Sequence, residues 1–183
     1  MTAEAIGAAG SIISSVVVVV GAVAALRQLR HLRASNEVHA MQAIIESANR
    51  PAVVESLRFI QRELAERLRN DAFRTQLAEN PIAGDARAVL PGLNFWEDVG
   101  TYVLIGAVSE RSIMLLYSWP IVNTWASAAA AFAVVRATQG PTVGENFEHL
   151  AAIATRWNEV EQPRLSRKLR HMPPVVIAPD EGL

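Results

Sequence analysis

Ile6 to Leu26 reads IGAAGSIISSVVVVVGAVAAL, and no charged residue interrupts it. Glu4 stands before it, and Arg27, Arg30, His31 and Arg33 follow. A helix rises ~1.5 Å per residue, so this stretch spans ~31 Å, about the hydrocarbon thickness of a bilayer. In water the run Val16 to Val20 favours a strand. In lipid a lone strand leaves its N–H and C=O groups unpaired, whereas a helix pairs them internally. The stretch therefore predicts a transmembrane helix. A signal peptide would need basic residues before a shorter apolar run and a small-residue cleavage site after it. Here the N-terminus carries Glu4 and no Lys or Arg, and the following LRQLRHLR is a poor cleavage site. An uncleaved anchor is expected. The positive-inside rule places Arg27, Arg30 and Arg33 in the cytoplasm and the N-terminus outside.

One face of the anchor carries Ala3, Gly7, Ser11 and Ser15 at four-residue spacing, with Gly10 and Ser14 beside it. Small residues let two helices approach closely in lipid, where apolar attraction alone does not drive association. The stripe is a candidate face for self-association; its plain alternative is that small residues are common in membrane helices.

Beyond the anchor, enough chain remains for one domain with a real core. The absence of Cys excludes disulfides, thiolate metal sites and a Cys nucleophile. Net charge is −1 but unevenly spread. Arg27 to Arg74 holds nine Arg against six acids, and Thr75 to Pro163 holds four Arg against nine acids. Arg164, Arg167, Lys168 and Arg170 form a second basic cluster. Nucleic-acid binding would need a more contiguous basic face with interleaved aromatics. Basic segments beside anionic lipid, with an acidic body facing the cytosol, fit this distribution better.

The remaining pattern is helical. Ser35 or Asn36 can cap a new helix or sit within one as a brief irregularity. Val38, Met41, Ile45 and Ala48 share one face, and Asn49-Arg50-Pro51 marks a boundary. Val53, Leu57, Ile60, Leu64 and Leu68 form an amphipathic stripe. Its heptad-like spacing permits a coiled coil, although bundle packing explains it as well. A short helix is expected from Asn70-Asp71 to Ala78, then a brief turn over Gly84 to Val89. Pro91-Gly92 opens LNFWEDVGTYVLIGAV, apolar on two sides and so expected in the middle of the domain. Ser109 is read as capping the next helix. Pro120 is read as opening another, to Thr138, because Pro suits a first helical turn. The charge-free run Ser112 to Val135 is thereby read as two core helices rather than a second span. Thr142-x-x-Glu145 has capping-box spacing and opens a helix to about Val160. Pro163 is read as starting a last basic helix to Arg170, and the tail MPPVVIAPDEGL as extended or disordered.

Catalytic patterns are thin. There is no phosphate-binding Gly loop, no G-x-S-x-G and no H-E-x-x-H. Glu145 and His149 stand four apart, but a metal site needs more ligands than this pair, so no metal or other cofactor is expected. Glu97 and Asp98 lie in a helix expected to be buried, where a carboxylate needs a partner or a raised pKa. Glu97 with Arg136 is the favoured buried ion pair, with Arg111 and Arg156 as alternatives to Arg136. Adjacent helical positions point ~100° apart, so Glu97 and Asp98 do not make a natural dyad.

These residues assemble into a resemblance. An anchor with a basic flank precedes an Arg-rich amphipathic helix. Then come Asn94-Phe95-Trp96-Glu97, Gly100, Gly106, Trp119, Trp125, Arg136 and Asn146-Phe147-Glu148-His149-Leu150. From Ile6 to Trp157 the chain resembles a family of small bacterial membrane-anchored α-helical proteins classed as a domain of unknown function. Where that family often has an acidic residue after the second Gly, this chain has Val108-Ser109-Glu110. The resemblance implies a bacterial inner membrane and a helical cytosolic domain, and it transfers no catalytic residue.

The expected fold is all-α: a single transmembrane helix followed by a cytosolic multi-helix bundle. The divisions are residues 1–34 as anchor and basic flank, 35–171 as the domain and 172–183 as the tail. The expected function is that of a membrane-anchored interaction or scaffold protein without enzymatic activity. Its expected partners are the lipid bilayer and a second copy or another membrane protein. A membrane-perturbing or channel-like effector in a stress or phage response is the alternative, and an enzyme using Glu97 or Glu145 and His149 ranks third.

Overall fold

The computed structural model describes the backbone of residues 3–169 and the side chains of residues 20–165. It is helical throughout, with no strand among the described residues. The chain divides into two compact units, Met1–Ile44 and Ile45–Leu183. The division at Ile44 falls later than the sequence-drawn one after residue 34.

The first unit is formed by α1 (Ala3–Ala48), which ends just inside the second. Ser35 and Asn36 sit within this helix without ending it, so the irregularity they suggested does not break the backbone ladder. Every residue from Val20 to Asn36 is exposed, including Val20, Val23, Leu26, Leu29 and Leu32. Arg27, Arg30 and Arg33 are exposed on the same stretch. Among the described residues no helix is long and apolar enough to cross a membrane. The stretch expected to do so lies, up to Val19, outside the residues whose side chains are described. So do Gly7, Gly10, Ser11, Ser14 and Ser15.

The second unit is a bundle. α2 (Pro51–Arg62) begins with Pro at its first position, where a missing N–H costs nothing. Its stripe buries Val53, Ser56 and Ile60, then continues after a break at Glu63 into α3 (Leu64–Arg67), where Leu64 is fully buried. α4 (Asp71–Ala78) starts as expected: the Asn70 side chain accepts from the N–H groups of Ala72 at 2.8 Å and Phe73 at 3.3 Å. A 3-10 helix over Gly84–Val89 leads into α5 (Leu90–Leu104). Here α2 and α5 meet closely. The buried Ser56 hydroxyl accepts from the Gly92 N–H at 2.9 Å, and a Cβ on Gly92 would stand 2.9 Å from that oxygen.

α5 is buried at Leu93, Phe95, Trp96, Val99 and Gly100, but its last turn is not: Leu104 and Ile105 are exposed. The helix ends in a reciprocal pair of bonds, Gly106 N–H to Val103 C=O at 3.0 Å and Ala107 N–H to Tyr102 C=O at 2.9 Å. That closure needs a left-handed residue, and Gly106 supplies it at φ +70°. Ser109 then caps α6 (Glu110–Gln139), its hydroxyl accepting from the Ser112 N–H at 3.1 Å.

α6 corrects one expectation. It is a single helix running through Pro120, not two helices divided there. Pro120 lacks an N–H for the Leu116 carbonyl, but Leu116 and Pro120 are both exposed, so the freed carbonyl lies on the solvent side. Likewise α7 (Glu145–Leu169) runs through the exposed Pro163, where a new helix was expected to begin. α6 packs on α7, α4 and α2, while α5 packs on α7 and α2. Between them stands an aromatic cluster centred on the fully buried Phe147. Its ring lies 6.0 Å from Trp96, 5.2 Å from Trp125 and 6.1 Å from Phe132. Burying one such ring contributes ~1.5–3 kcal/mol, so the helices are held chiefly by apolar contact.

Candidate functional site at the start of the last helix

The first residues of a helix carry N–H groups with no partner inside it, and the helix dipole makes that end positive. At α7 these groups are met from another helix. Glu97, half-buried on α5, accepts from the Asn146 N–H through Oε1 at 3.3 Å and from the Phe147 N–H through Oε2 at 2.9 Å. The approach is close because α5 has no side chain at Gly100. A Cβ there would stand 2.5 Å from the Asn146 carbonyl oxygen. One turn along, the Asn146 amide donates to the Thr101 hydroxyl at 3.0 Å, and that hydroxyl donates to the Glu97 carbonyl at 3.0 Å.

Arg136 stands on the other side of the same junction. Its Nε donates to the Val143 carbonyl at 2.8 Å, and its Nη2 lies 2.7 Å from a Glu148 carboxylate oxygen. Its guanidinium carbon is 5.8 Å from the centre of the Phe132 ring. The connecting turn is tight at Gly144, φ +74°, where a Cβ would come within 2.2 Å of that ring. Arg136 and Glu97 thus hold the two sides of one helix start, and the expected Glu97–Arg136 ion pair is not formed. Glu97 is neutralised by backbone dipoles and Arg136 by Glu148. The capping-box expectation is amended in the same way: the carboxylate that caps α7 is Glu97, supplied from α5, rather than one from within the helix.

Each oxygen of Glu97 accepts one N–H bond, which ties the carboxylate to the start of α7. Asp98 is exposed on a different face. An open groove of about 590 Å³ runs beside the junction, lined by Leu104, Glu145, Asn146, Glu148, His149 and Ala152. Glu145 and His149 both face it, but among the described residues no group of three or more His, Cys, Asp or Glu could hold a metal ion. Of the basic C-terminal cluster, Arg164 is exposed and pairs with Glu161 at 2.9 Å. The side chains of Arg167, Lys168 and Arg170 lie outside the described residues.

Sequence reading missed Asn146 as a structural partner and Trp96 as a centre of the core. The Trp96 ring is 1% exposed, stacked near Phe147 and 5.9 Å from Tyr117. Burial pushes the Tyr117 phenol above its ordinary value of 10.0. The one available signal was the pairing of FWEDVG with ENFEHL, a carboxylate and a Gly on one helix facing the first turn of another.

No curated protein and no solved structure matches the chain. A family model does, over residues 15–157, from the middle of α1 through the bundle to Trp157 on α7. The match includes Glu97, Gly100, Arg136, Gly144 and Asn146, the whole junction described above, and the chain belongs to DUF4760, a family defined by a domain of unknown function.

Proposed function

We propose that the protein is a membrane-anchored helical interaction protein. Ile6 to Leu26 crosses a bacterial cytoplasmic membrane once, with the N-terminus outside. Arg27, Arg30 and Arg33 sit among anionic headgroups on the cytoplasmic side, and the bundle on that side binds a second copy or another membrane protein. The observation that carries this reading is the uncharged apolar run followed at once by three Arg within seven residues. Two features of the structure support it. The bundle's main junction is a structural tie between helices: Glu97 holds the Asn146 and Phe147 N–H groups, and the Asn146 amide holds the Thr101 hydroxyl. The bundle surface also keeps large apolar residues in the open, among them Leu104 at 65%, Ile105 at 67% and Trp119 at 62% exposed.

Alkaline carbonate extraction of cell membranes tests the anchor. The native chain is expected to stay in the membrane pellet, and a Val17→Arg, Val19→Arg double variant is expected to leave it, since each central Arg costs about 2.5–3.5 kcal/mol in a spanning helix. Recovery of the native chain in the soluble fraction would overturn the proposal.

A further inference from the structure

We infer that residues 173–181, which follow α7 in the chain, turn back and seat in the groove between the start of α6 and the end of α7. That groove has a volume of about 350 Å³ and is lined by Glu110 on α6 and by Ile153, Arg156, Trp157, Val160 and Glu161 on α7. Its apolar wall is open: Val160 is 40% exposed, and Ile153 and Trp157 are half-buried. Arg156 is exposed and forms no ion pair among the described residues, whereas Glu161 is held by Arg164 at 2.9 Å. The groove therefore suits an apolar segment that brings a carboxylate with it.

The chain carries such a segment next in sequence. Residues 170–183, RHMPPVVIAPDEGL, lie outside the described residues. Pro stands at 173, 174 and 179. Each Pro fixes its own φ and turns the residue before it away from the helical region. Val175, Val176, Ile177 and Ala178 are thereby biased to an extended form, which lowers the entropy lost on docking. Extended Pro-rich segments dock in grooves lined by aromatic rings, and Trp157 is such a ring. A segment running back along α7 meets Val160 first and Arg156 later. That is the order of its own apolar run and its two carboxylates, Asp180 and Glu181.

Length selects this groove. α7 ends at Leu169 and rises ~1.5 Å per residue, so Val160 lies ~14 Å and Trp157 ~18 Å back from its end. An extended chain covers ~3.3 Å per residue, so Ile177 reaches at most ~26 Å from Leu169. The difference leaves room for Arg170 to Met172 to reverse direction. The groove beside Leu104 and His149 begins at Ala152, ~26 Å back, which Ile177 would reach only with no turn at all. Tethering supplies the rest. A short linker holds the segment at an effective concentration in the millimolar range, so a contact too small to form between separate molecules is occupied within one.

Because the chain has no Cys, introduced pairs report where the segment sits. In the full chain Ile177→Cys is combined with Val160→Cys, with Ala152→Cys in the groove beside Leu104, or with Ala88→Cys in a third groove between α2 and the 3-10 helix. The chains are oxidised at low concentration in mild detergent, and free thiols are counted in the monomer. A disulfide spans only ~7 Å, so it is expected to form with position 160 at roughly ten times the rate seen with 152 or 88. Arg156→Glu is expected to slow that joining about threefold, and the addition of Asp180→Arg and Glu181→Arg to restore it. Equal rates at the three positions, faster joining at 152 or 88, joining between two copies rather than within one, or insensitivity to Arg156→Glu would each overturn the inference. A second readout leaves the groove unaltered. In a Val176→Ser, Ile177→Ser chain the indole N–H resonance of Trp157 is expected to shift while those of Trp96, Trp119 and Trp125 stay. An unmoved Trp157 resonance would overturn the inference as well. Neither measurement depends on whether the chain partitions to membranes, so failure of the anchor proposal leaves both readable.

Discussion

Replacing Glu97 by Ala would leave the N–H groups of Asn146 and Phe147 without their acceptors. Loss of an N-terminal cap costs about 0.5–2 kcal/mol, and Glu97→Ala is expected to lower stability to urea by an amount in that range. Glu97→Gln keeps one acceptor oxygen but removes the charge that faces the helix dipole, so it should fall between native and Ala. Equal losses from the two variants would show that the charge alone matters. The glycines give a second comparison at this scale. Gly106 and Gly144 share a left-handed backbone, but a Cβ at Gly106 meets nothing within 4 Å, whereas one at Gly144 enters the Phe132 ring. Gly106→Ala should cost ~1–2 kcal/mol of backbone strain, and Gly144→Ala ~1–3 kcal/mol more from overpacking. Chemical denaturation of the pair separates conformational strain from steric strain.

Along α6 the exposed Pro120 interrupts an otherwise complete ladder. Pro within a helix costs ~3 kcal/mol relative to Ala, offset by the ~1 kcal/mol it saves by stiffening the unfolded chain. Pro120→Ala is accordingly expected to stabilise the protein by about 2 kcal/mol, read as a higher urea midpoint with an unchanged slope. A lower midpoint would mean that the ring makes contacts worth keeping. The same helix shows what could be read from sequence. Ser109, Asn70 and Pro51 mark real boundaries because each acts locally, through a cap or a missing donor, whereas the left-handed turn at Gly106 was not read as one. Pro120 and Pro163 mislead because a Pro in a long helix is tolerated when its face is open to solvent, and burial of the opposite face is a tertiary fact. The exposed half of α6 was hidden for a related reason: an uncharged run looks like core on all sides until the bundle shows which side it covers.

For the bundle as a whole, the aromatic cluster around Phe147 and Trp96 carries the stability, and it brings one ionisable group with it. Burial raises the Tyr117 phenol, so the folded state holds that proton more tightly than the unfolded chain does. This contribution is complete below the ordinary value of 10.0 and is lost as pH rises through it toward the folded value. Stability should therefore decline above pH 10, and Tyr117→Phe should flatten that decline in urea titrations across alkaline pH. An unchanged pH slope in the variant would place the sensitive group elsewhere. At this scale the all-α class was legible from apolar periodicity, and the helical order was recovered nearly whole. The junction was not. Glu97 and Arg136 were singled out as needing partners, but which partner each takes depends on where α7 begins in space, which a carboxylate–guanidinium pairing rule does not encode.

That Glu97 lies 50 residues ahead of Phe147 also bears on how the chain folds. A cap within its own helix is available as soon as the first turn forms. This one requires α5 and α7 to be docked, with all of α6 between them in the chain. Bonds of that kind are expected to form on the native side of the folding barrier. Glu97→Ala should speed unfolding while leaving the refolding rate nearly unchanged. On that outcome Glu97 would be a latch on the finished bundle, setting how long the assembled state lasts rather than how quickly it is reached.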